Sequence, residues 1–324
     1  MGTMKIAALL RLEREGEEMI LDIGHVALQV ADVDAAAQFA VEVLGMHETE
    51  RTEHSSYLTM TSSYPSMGRV CPHHVIEYRQ GPETALDHVG LIAEDDASLD
   101  EAARRAVAHG ATLLGDGPAP GIKRAVRIAA PSGHVFWLYV AMDKVDVDDA
   151  EHGVRPQRLG HVNLWAQDVP ALVQFWVDAF GFKISDWIRD PETGEWAGFA
   201  RCHLEHHTLA AAQAPVDGIY HYAMELSSVS EIARLGDLLG RRREGFLWGP
   251  VRHGAGDNVA AYLVGPGGVT IEVYADMQKI SDPTWEPRVW TDAELPTGAN
   301  TWGPQGGASR MAFKSGLAKL PASR

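Results

Sequence analysis

The sequence predicts an α+β protein of two homologous domains, each built from two βαβββ modules. Three pairs of matching segments support this: the stretch from Ile23 (IGHVALQVADVDAAAQFAVEVLGM) aligns with the stretch from Leu159 (LGHVNLWAQDVPALVQFWVDAFGF), LDHVGL aligns with IYHYAM, and PSGHVFWLYVAM aligns with PGGVTIEVYADM. The pairs are offset by 133 to 136 residues. A repeat with a nearly constant offset indicates a duplicated structural unit, and 324 residues are enough for two domains of ordinary size.

Each half of the chain is doubled again. Residues 23–30 resemble a strand and lead into a segment whose apolar residues recur at helical spacing until Gly45. A similar strand–helix start follows in DHVGLIAEDDASLDEAARRAVAHG. Short Gly and Pro turns separate the later strands. Four strand–helix–strand modules of about 60 residues therefore explain most of the chain.

Composition shifts divide the chain into four segments. We expect an N-terminal domain over residues 1–142, an acidic linker over 143–157, a C-terminal domain over 158–280 and a tail over 281–324. The linker, DKVDVDDAEHGVRPQ, is poor in large apolar residues. The tail contains Trp285, Trp290 and Trp302. Because large apolar side chains avoid water, we expect it to pack over the second domain beside the functional site.

Charge and cysteine content exclude several classes of partner. The formal net charge is −16, which argues against a nucleic-acid partner because such proteins need clustered Lys and Arg. Cys71 and Cys202 are the only cysteines, so we expect no disulfide framework and a reducing compartment. The first apolar run, residues 6–10, is too short to cross a bilayer or to form a secretory signal. We therefore expect a cytoplasmic protein with no membrane partner.

Two histidines and one glutamate form a candidate metal site. His161 and His221 each open a predicted strand in an apolar context, and Glu272 lies in the strand GVTIEVY. A buried carboxylate is costly unless it is paired or binds a metal. Two histidines and a carboxylate on adjacent strands would form the facial triad of non-haem Fe(II) oxygenases, which leaves three positions open. One histidine at a strand start is more often structural, so the prediction depends on the whole set.

The motifs LGHVNL, EHHTLA, YHYAMEL and VRHGAGDNVAAYLVGPGGVTIEVY together resemble the type I extradiol dioxygenases of the vicinal oxygen chelate superfamily. That family cleaves catechol rings beside the hydroxyl pair, and the resemblance covers essentially the whole chain. It implies a glyoxalase-like fold in which each domain is a curved half-barrel around a central cavity. It also implies Fe(II), with Mn(II) as the other metal that such a triad takes, a catechol-type substrate with O2, a muconic semialdehyde-type product, and a homo-oligomer (dimer or tetramer).

Carried over position by position, the resemblance implies three sets of site residues. The metal ligands are His161, His221 and Glu272; the catalytic residues are the acid–base His207, together with His253 and Tyr262; the substrate contacts are Asn163, Phe199 and Trp248. The apolar and aromatic residues of the last set would line the pocket. Two nearby cations, Arg201 and Arg252, would either recognise a ring carboxylate or pair with surface acids, and we favour the second.

The neighbouring His206 is an alternative to His207. If both lie on one strand, adjacent residues face opposite ways and only one of them reaches the metal. We prefer His207, because the histidine of the resembled family directly precedes the Ser, Thr or Asp that leads this strand.

The N-terminal domain is expected to be a degenerate copy. It keeps His25 and His88, but Trp137 stands where the second domain has Glu272. Two rival functions stay open at this stage: a glyoxalase-type metal-dependent isomerase, and a non-enzymatic binding protein of the bleomycin-resistance type. The isomerase usually has a glutamate base within a four-residue metal set, whereas the binder has no need for a buried glutamate beside two histidines.

Overall fold

The structure, a computed structural model, describes residues 19–60, 70–147, 152–190, 194, 196–291, 300–302 and 318–320. The N-terminal half contains two modules in series. The first comprises β1 (Ile20–Val30), α1 (Val33–Phe39), β2 (Met46–Arg51), β3 (Ser55–Met60), β4 (Val70–Pro72) and β5 (Ile76–Gln80). The second comprises β6 (Ala85–Ala93), α2 (Asp96–Ala108), β7 (Thr112–Ala119), β8 (Ile122–Ala129) and β9 (Val135–Tyr139), and β10 (Lys144–Asp146) follows it.

The C-terminal half repeats this plan. Its first module comprises β11 (Arg158–Ala166), α3 (Val169–Phe180), β12 (Lys183–Arg189), β13 (Trp196–Arg201) and β14 (Leu209–Gln213). Its second comprises β15 (Gly218–Glu225), α4 (Val229–Arg241), β16 (Trp248–Arg252), β17 (Val259–Val264) and β18 (Thr270–Ala275). Two short strands follow, β19 (Arg288–Trp290) and β20 (Ala318–Lys319).

Both halves pair their strands in the same order. The first strand of each half pairs in parallel with the last strand of its own module and antiparallel with the first strand of the next. In the N-terminal half the order is β2, β3, β5, β1, β6, β9, β8, β7, and in the C-terminal half it is β12, β13, β14, β11, β15, β18, β17, β16. The predicted α+β fold of two homologous domains, each of two βαβββ modules, is confirmed.

Helix caps recur at equivalent places in the two halves. Asp32 accepts a hydrogen bond from the amide of Ala35 at the start of α1, and Asp168 accepts one from Ala171 at the start of α3. Gly45 and Gly181 follow these helical segments with positive φ values of 71° and 76°, a conformation that glycine adopts without steric cost. The segment after α1 differs from the prediction, because residues 40–44 form a turn of π-helix rather than continued α-helix.

Apolar packing joins the two halves into one core. Helices α2 and α3 contact each other, and buried apolar residues from both halves form one continuous cluster. The fully buried hydroxyls of Tyr78 and Tyr222 lie 3.0 Å apart across this boundary. Strand β20 pairs with both β15 and β6, so it also connects the two halves.

The predicted linker and tail both contain paired strands. β10 lies in the expected linker and pairs with β4. In the tail, β19 pairs in parallel with β12, and Trp285 donates its indole N–H to the carbonyl of Ser185 at 2.8 Å. Trp302 is 56% exposed, whereas residues 292–299, 303–317 and 321–324 of the expected tail lie outside the described residues. Among the residues described, no helix is long and apolar enough to span a membrane.

Candidate active site

Three adjacent strands bring the candidate metal ligands together. His161 on β11 is paired with Ala223 on β15, and Ala223 is paired with Glu272 on β18. His221 lies two residues before Ala223, so both face the same side of the sheet. Each histidine is the fourth residue of its strand, not the first as the sequence had suggested. A register shift in β11 just before His161 accompanies this arrangement.

The three ligand atoms converge on one point. His161 Nε2 lies 3.3 Å from His221 Nε2 and 3.2 Å from Glu272 Oε2, and His221 Nε2 lies 3.0 Å from Glu272 Oε2. Within the described residues this is the one group of three or more His, Cys, Asp or Glu side chains that could hold a metal ion. Three atoms at about 2.1 Å from a common ion, at right angles, lie about 3 Å apart. The spacing therefore fits a facial triad.

The protonation states also fit a metal. Burial lowers the pKa of His161 below its usual value, which keeps the imidazole neutral. Burial alone would raise the pKa of Glu272, but the interactions of its ionised form with the adjoining His161 and His221 outweigh burial and hold this pKa well below its usual range. Neutral imidazoles and an ionised carboxylate are the forms that ligate metals.

Asn258 binds the second carboxylate oxygen of Glu272, the one that does not face the histidines. The sequence interpretation did not name Asn258. Its Nδ2 donates to Glu272 Oε1 at 3.0 Å, and the side chain is fully buried. This bond leaves Oε2 for the two histidines and fixes the carboxylate plane. The motif GDNVAAY contained a signal for this role, because a polar residue beside an apolar strand needs a hydrogen-bond partner if it is buried.

His207 lies beside the triad, and His206 faces the other way. The rings of His207 and His161 are 4.2 Å apart between centroids, whereas His206 Nε2 lies 3.2 Å from Asp186 Oδ2. Strand alternation does not explain this, because β14 begins only at Leu209. Burial, followed by the charge of His161, holds the pKa of His207 well below its ordinary value.

His253 and Tyr262 form a hydrogen-bonded pair on the other flank of the triad. The tyrosine hydroxyl lies 2.7 Å from His253 Nε2, and Tyr262 is paired with Glu272 across β17 and β18. Its ring lies 5.5 Å from that of His221 and is stacked on Trp248 at 5.2 Å. Burial raises the pKa of Tyr262 well above its usual value, so the hydroxyl keeps its proton near neutral pH.

The other predicted substrate contacts lie close to the same residues. The ring of Phe199 lies 5.1 Å from that of His207. Asn163 is paired with His221, and its buried Oδ1 has no hydrogen-bond partner within the described residues. The two arginines that the sequence had offered as possible carboxylate contacts have protein partners. Arg201 donates to Ser185 and to the carbonyl of Ile184, and Arg252 donates to Asp257 and lies over the ring of Trp302.

A protein-family comparison matches both halves of the chain. The model of the Glyoxalase/Bleomycin resistance protein/Dioxygenase superfamily matches residues 22–138 and 158–273. The chain belongs to this superfamily. The two matched segments coincide with the two homologous domains, so the predicted resemblance to the vicinal oxygen chelate proteins is confirmed.

Several members of the superfamily resemble this chain along most of its length. The manganese-dependent 2,3-dihydroxybiphenyl 1,2-dioxygenase of Geobacillus genomosp. 3 is 24% identical, over 88% of this chain and 95% of its own. The homoprotocatechuate 2,3-dioxygenase of Arthrobacter globiformis superposes with a TM-score of 0.80 at 24% identity, over 94% and 93% of the two chains. The Mn(II)-bound glyoxalase of Novosphingobium aromaticivorans gives 0.79 at 24% identity, over 95% and 96%. At 24% identity, these two solved structures show that this chain has the same fold and no more than that.

A glycine–tyrosine contact accompanies the first strand of both domains. A Cβ atom on Gly160 would lie 1.7 Å from the hydroxyl oxygen of Tyr274, and one on Gly24 would lie 1.7 Å from that of Tyr139. Only glycine leaves room for the buried tyrosine before the histidine of each GHV motif. The sequence interpretation named neither tyrosine.

Proposed function

We propose that the chain is a non-haem extradiol dioxygenase that cleaves a catechol-type ring with O2 to a muconic semialdehyde-type product. The observation that carries this is the buried group of His161, His221 and Glu272, flanked by His207 on one side and by the His253–Tyr262 pair on the other. The dioxygenases among the relatives support it, since they match nearly the full chain. Dioxygenase chemistry needs both a triad with open positions and polar groups beside them.

The metal that we propose is Fe(II), held by His161, His221 and Glu272, with Mn(II) as the other candidate. One curated relative is named iron-dependent and another manganese-dependent, and two nitrogens with one carboxylate oxygen suit either ion. When bound, the ion would bring the diol and dioxygen together and allow electron density to pass between them. Asn258 keeps Glu272 Oε2 directed at this point through its bond to Oε1.

Tyr262 and His253 would hold the substrate oxygen and receive its proton. The 2.7 Å contact between the tyrosine hydroxyl and His253 Nε2 links the inner residue to a more exposed one. Tyr262 stays protonated because burial raises its pKa. Its hydroxyl can therefore pass its proton to His253 Nε2 as it accepts the proton of the substrate hydroxyl, so the substrate proton moves outward and Tyr262 stays protonated.

His207 would be the acid–base group on the dioxygen side. Its ring adjoins His161 and is buried, so a proton that it accepts there is not shared with bulk water. A group with a lowered pKa readily gives the proton back, which suits the later protonation that assists O–O cleavage. Phe199 packs against this ring and restricts its orientation.

The pocket that we propose suits an uncharged or modestly substituted catechol. Trp248 and Phe199 would flank the ring, and Asn163 would face it from β11. Arg201 and Arg252 are engaged by Ser185 and Asp257, so neither is assigned to a ring carboxylate. Large aromatic walls with few convergent polar groups are typical of small-molecule sites.

We further propose a homo-oligomer, dimer or tetramer, and a cytoplasmic location. The oligomer is proposed because the resembled dioxygenases commonly assemble, and size-exclusion chromatography with light scattering tests it. The location is proposed because Cys71 and Cys202 are not joined in a disulfide, which fits a reducing compartment.

To test the proposal, the purified chain is loaded with Fe(II) in the absence of oxygen and is then mixed in air with a panel of catechols. Ring cleavage should appear as yellow product and as one O2 consumed per catechol. Metal analysis separates the rival functions. About one iron per chain with turnover supports the proposal, zinc or nickel with isomerisation of a hemithioacetal supports the glyoxalase-type isomerase, and no metal with tight ligand binding supports the bleomycin-resistance-type binder.

A further inference from the structure

A buried carboxylate–histidine pair lies behind His207. The Nδ1 atoms of His206 and His207 are 3.0 Å apart, and both side chains are buried. On its far side, His206 Nε2 lies 3.2 Å from Asp186 Oδ2, at an ion-pair distance but without the alignment of a hydrogen bond. Asp186 itself is 3% exposed. Three buried polar groups thus follow one another outward from the triad.

The C-terminal tail fixes the carboxylate of Asp186. Trp290 donates its indole N–H to Oδ2 at 2.9 Å, and the amide of Arg288 donates to Oδ1 at 3.0 Å. Both donors belong to β19, which pairs with β12 in the register Asp186 to Arg288. The carboxylate therefore keeps its place beside His206.

This order of groups determines which nitrogens carry protons. Nε2 of His206 faces a carboxylate oxygen, and a lone pair there would repel it, so this nitrogen bears the proton. In the neutral ring Nδ1 is then an acceptor. With His206 neutral, the donor in the Nδ1–Nδ1 contact is His207. With its proton on Nδ1, His207 has its lone pair on Nε2, the nitrogen left for the active site.

We propose that His206 is a positioning residue that holds His207 in the Nδ1–H tautomer, so that Nε2 of His207 can accept a proton from the reacting groups. The proposal rests on the proposed function for its kinetic consequence, but the tautomer itself does not depend on turnover. Free imidazole side chains favour the other tautomer, with the proton on Nε2. His206 would thus prepare His207 as a base before the substrate arrives.

Among the residues that the structure describes in the N-terminal domain, the same arrangement recurs and no metal triad accompanies it. His73 and His74 approach through their Nδ1 atoms at 3.0 Å, and His73 Nε2 lies 3.1 Å from Glu50 Oε2. Glu50 is paired with Tyr57 as Asp186 is paired with Phe199. The fold therefore builds this unit twice, and only the second copy adjoins a candidate metal site. The first copy supplies a matched control.

The first measurement is the ¹⁵N–¹H long-range correlation spectrum of the histidine rings in the full-length chain without paramagnetic metal. His207→Gln identifies the signals of His207 by their loss. We expect His207 in the Nδ1–H form in the unmodified protein and in the Nε2–H form in His206→Leu. An Nε2–H form in the unmodified protein, or no change in His206→Leu, overturns the proposal whether or not the chain cleaves catechols.

The second measurement compares kcat and KM for the Fe(II)-loaded chain. His206→Leu should lower kcat about tenfold to a hundredfold, the usual effect of losing a partner that orients a site residue, with KM for the catechol and iron content within about twofold. His206→Asn should recover most of kcat, because its amide can reach the position of Nδ1.

His73→Leu should lose a similar amount of thermal stability and keep kcat. Equal kcat in His206→Leu and His73→Leu overturns the proposal, whereas no turnover in the unmodified protein contradicts the proposed function alone.

Discussion

Trp137 lies face to face with His88, with ring centroids 3.6 Å apart and planes 6° apart. Trp137 is paired with Gly90 as Glu272 is paired with Ala223, so the indole occupies the register position of the metal-binding carboxylate. His25 Nε2 contacts His88 Nε2 directly at 2.8 Å. The N-terminal copy of the site is therefore filled by its own side chains.

Substitutions in this filled copy should leave the metal in place. His25→Ala and His88→Ala should each cost about 1–3 kcal/mol of stability through lost packing and hydrogen bonds. Iron per chain should stay as in the unmodified protein. Trp137→Glu should not create a second site, because Arg127 and Arg79 lie over the indole and would pair with the new carboxylate. Iron analysis beside thermal unfolding checks all three variants, and a rise to two irons per chain in Trp137→Glu would be the contrary result.

Replacing His207 should affect chemistry more than binding. His207→Phe should lower kcat about a hundredfold or more, the range expected for a lost acid–base group. The iron content should stay unchanged, because His207 is not among the three converging ligands. Stopped-flow mixing of the anaerobic enzyme–catechol complex with O2 measures the affected steps. A kcat near that of the unmodified protein would remove His207 from the chemistry.

Asn258 should control how firmly the metal is held. Asn258→Leu removes the donor to Glu272 Oε1, and we expect metal affinity to fall about tenfold to a hundredfold. Asn163, the other candidate pocket amide, forms no hydrogen bond with the Glu272 carboxylate among the described residues, so Asn163→Leu serves as the control. Competition with a chelator of known affinity gives both constants. The same affinity in the two variants would show that Asn258 does not orient the ligand.

The buried His74 predicts a specific loss of stability in acid. Burial, with the charges of His73 and His88, lowers its pKa to about 3, against an ordinary value of 6.5. Between these values the unfolded chain binds a proton that the folded chain does not, so stability falls as pH falls from 6.5 towards 3. At pH 5 this amounts to about 2 kcal/mol.

Denaturant unfolding at pH 7 and pH 5 measures this effect. His74→Gln should show about 2 kcal/mol less acid destabilisation than the unmodified protein between the two pH values. The control is His54→Gln, because the side chain of His54 is 74% exposed and its replacement should leave the pH dependence unchanged. Parallel pH profiles for His74→Gln and the unmodified protein would contradict the prediction.

The repeat in the sequence was enough to predict the fold, because its landmarks fall on strands that pair within each domain. His25 and His161 occupy equivalent positions in β1 and β11, and the offset between them recurs along the chain. The triad could be predicted because a glutamate within an apolar strand must be paired or bind a metal, and Glu272 follows His161 and His221 in the ordered set of motifs that carries the resemblance. These features depend on local pattern and on periodicity, which a single sequence displays.

The contacts around the triad could not be predicted, because they join residues that no local sequence pattern relates. Asp186 and Trp290 are 104 residues apart and meet only because β19 pairs with β12. Asn258 directly precedes β17 and reaches Glu272 on the neighbouring strand β18. The expectation that only one of His206 and His207 faces the triad agrees with the geometry, but not through strand alternation, since neither residue lies in a strand. Strand register and loop geometry, rather than residue type, decide these contacts.

The most direct test of the metal assignment compares two buried carboxylates, Glu272 in the C-terminal domain and Glu77 in the N-terminal domain. Both side chains are at most 2% exposed, and each lies on a strand of the domain sheet. Iron per chain is measured after anaerobic Fe(II) loading of Glu272→Gln, Glu77→Gln and the unmodified protein, each verified as folded by circular dichroism. The account predicts about one iron per chain in Glu77→Gln and in the unmodified protein, and almost none in Glu272→Gln. Full iron content in Glu272→Gln, or equal loss in both variants, would contradict it.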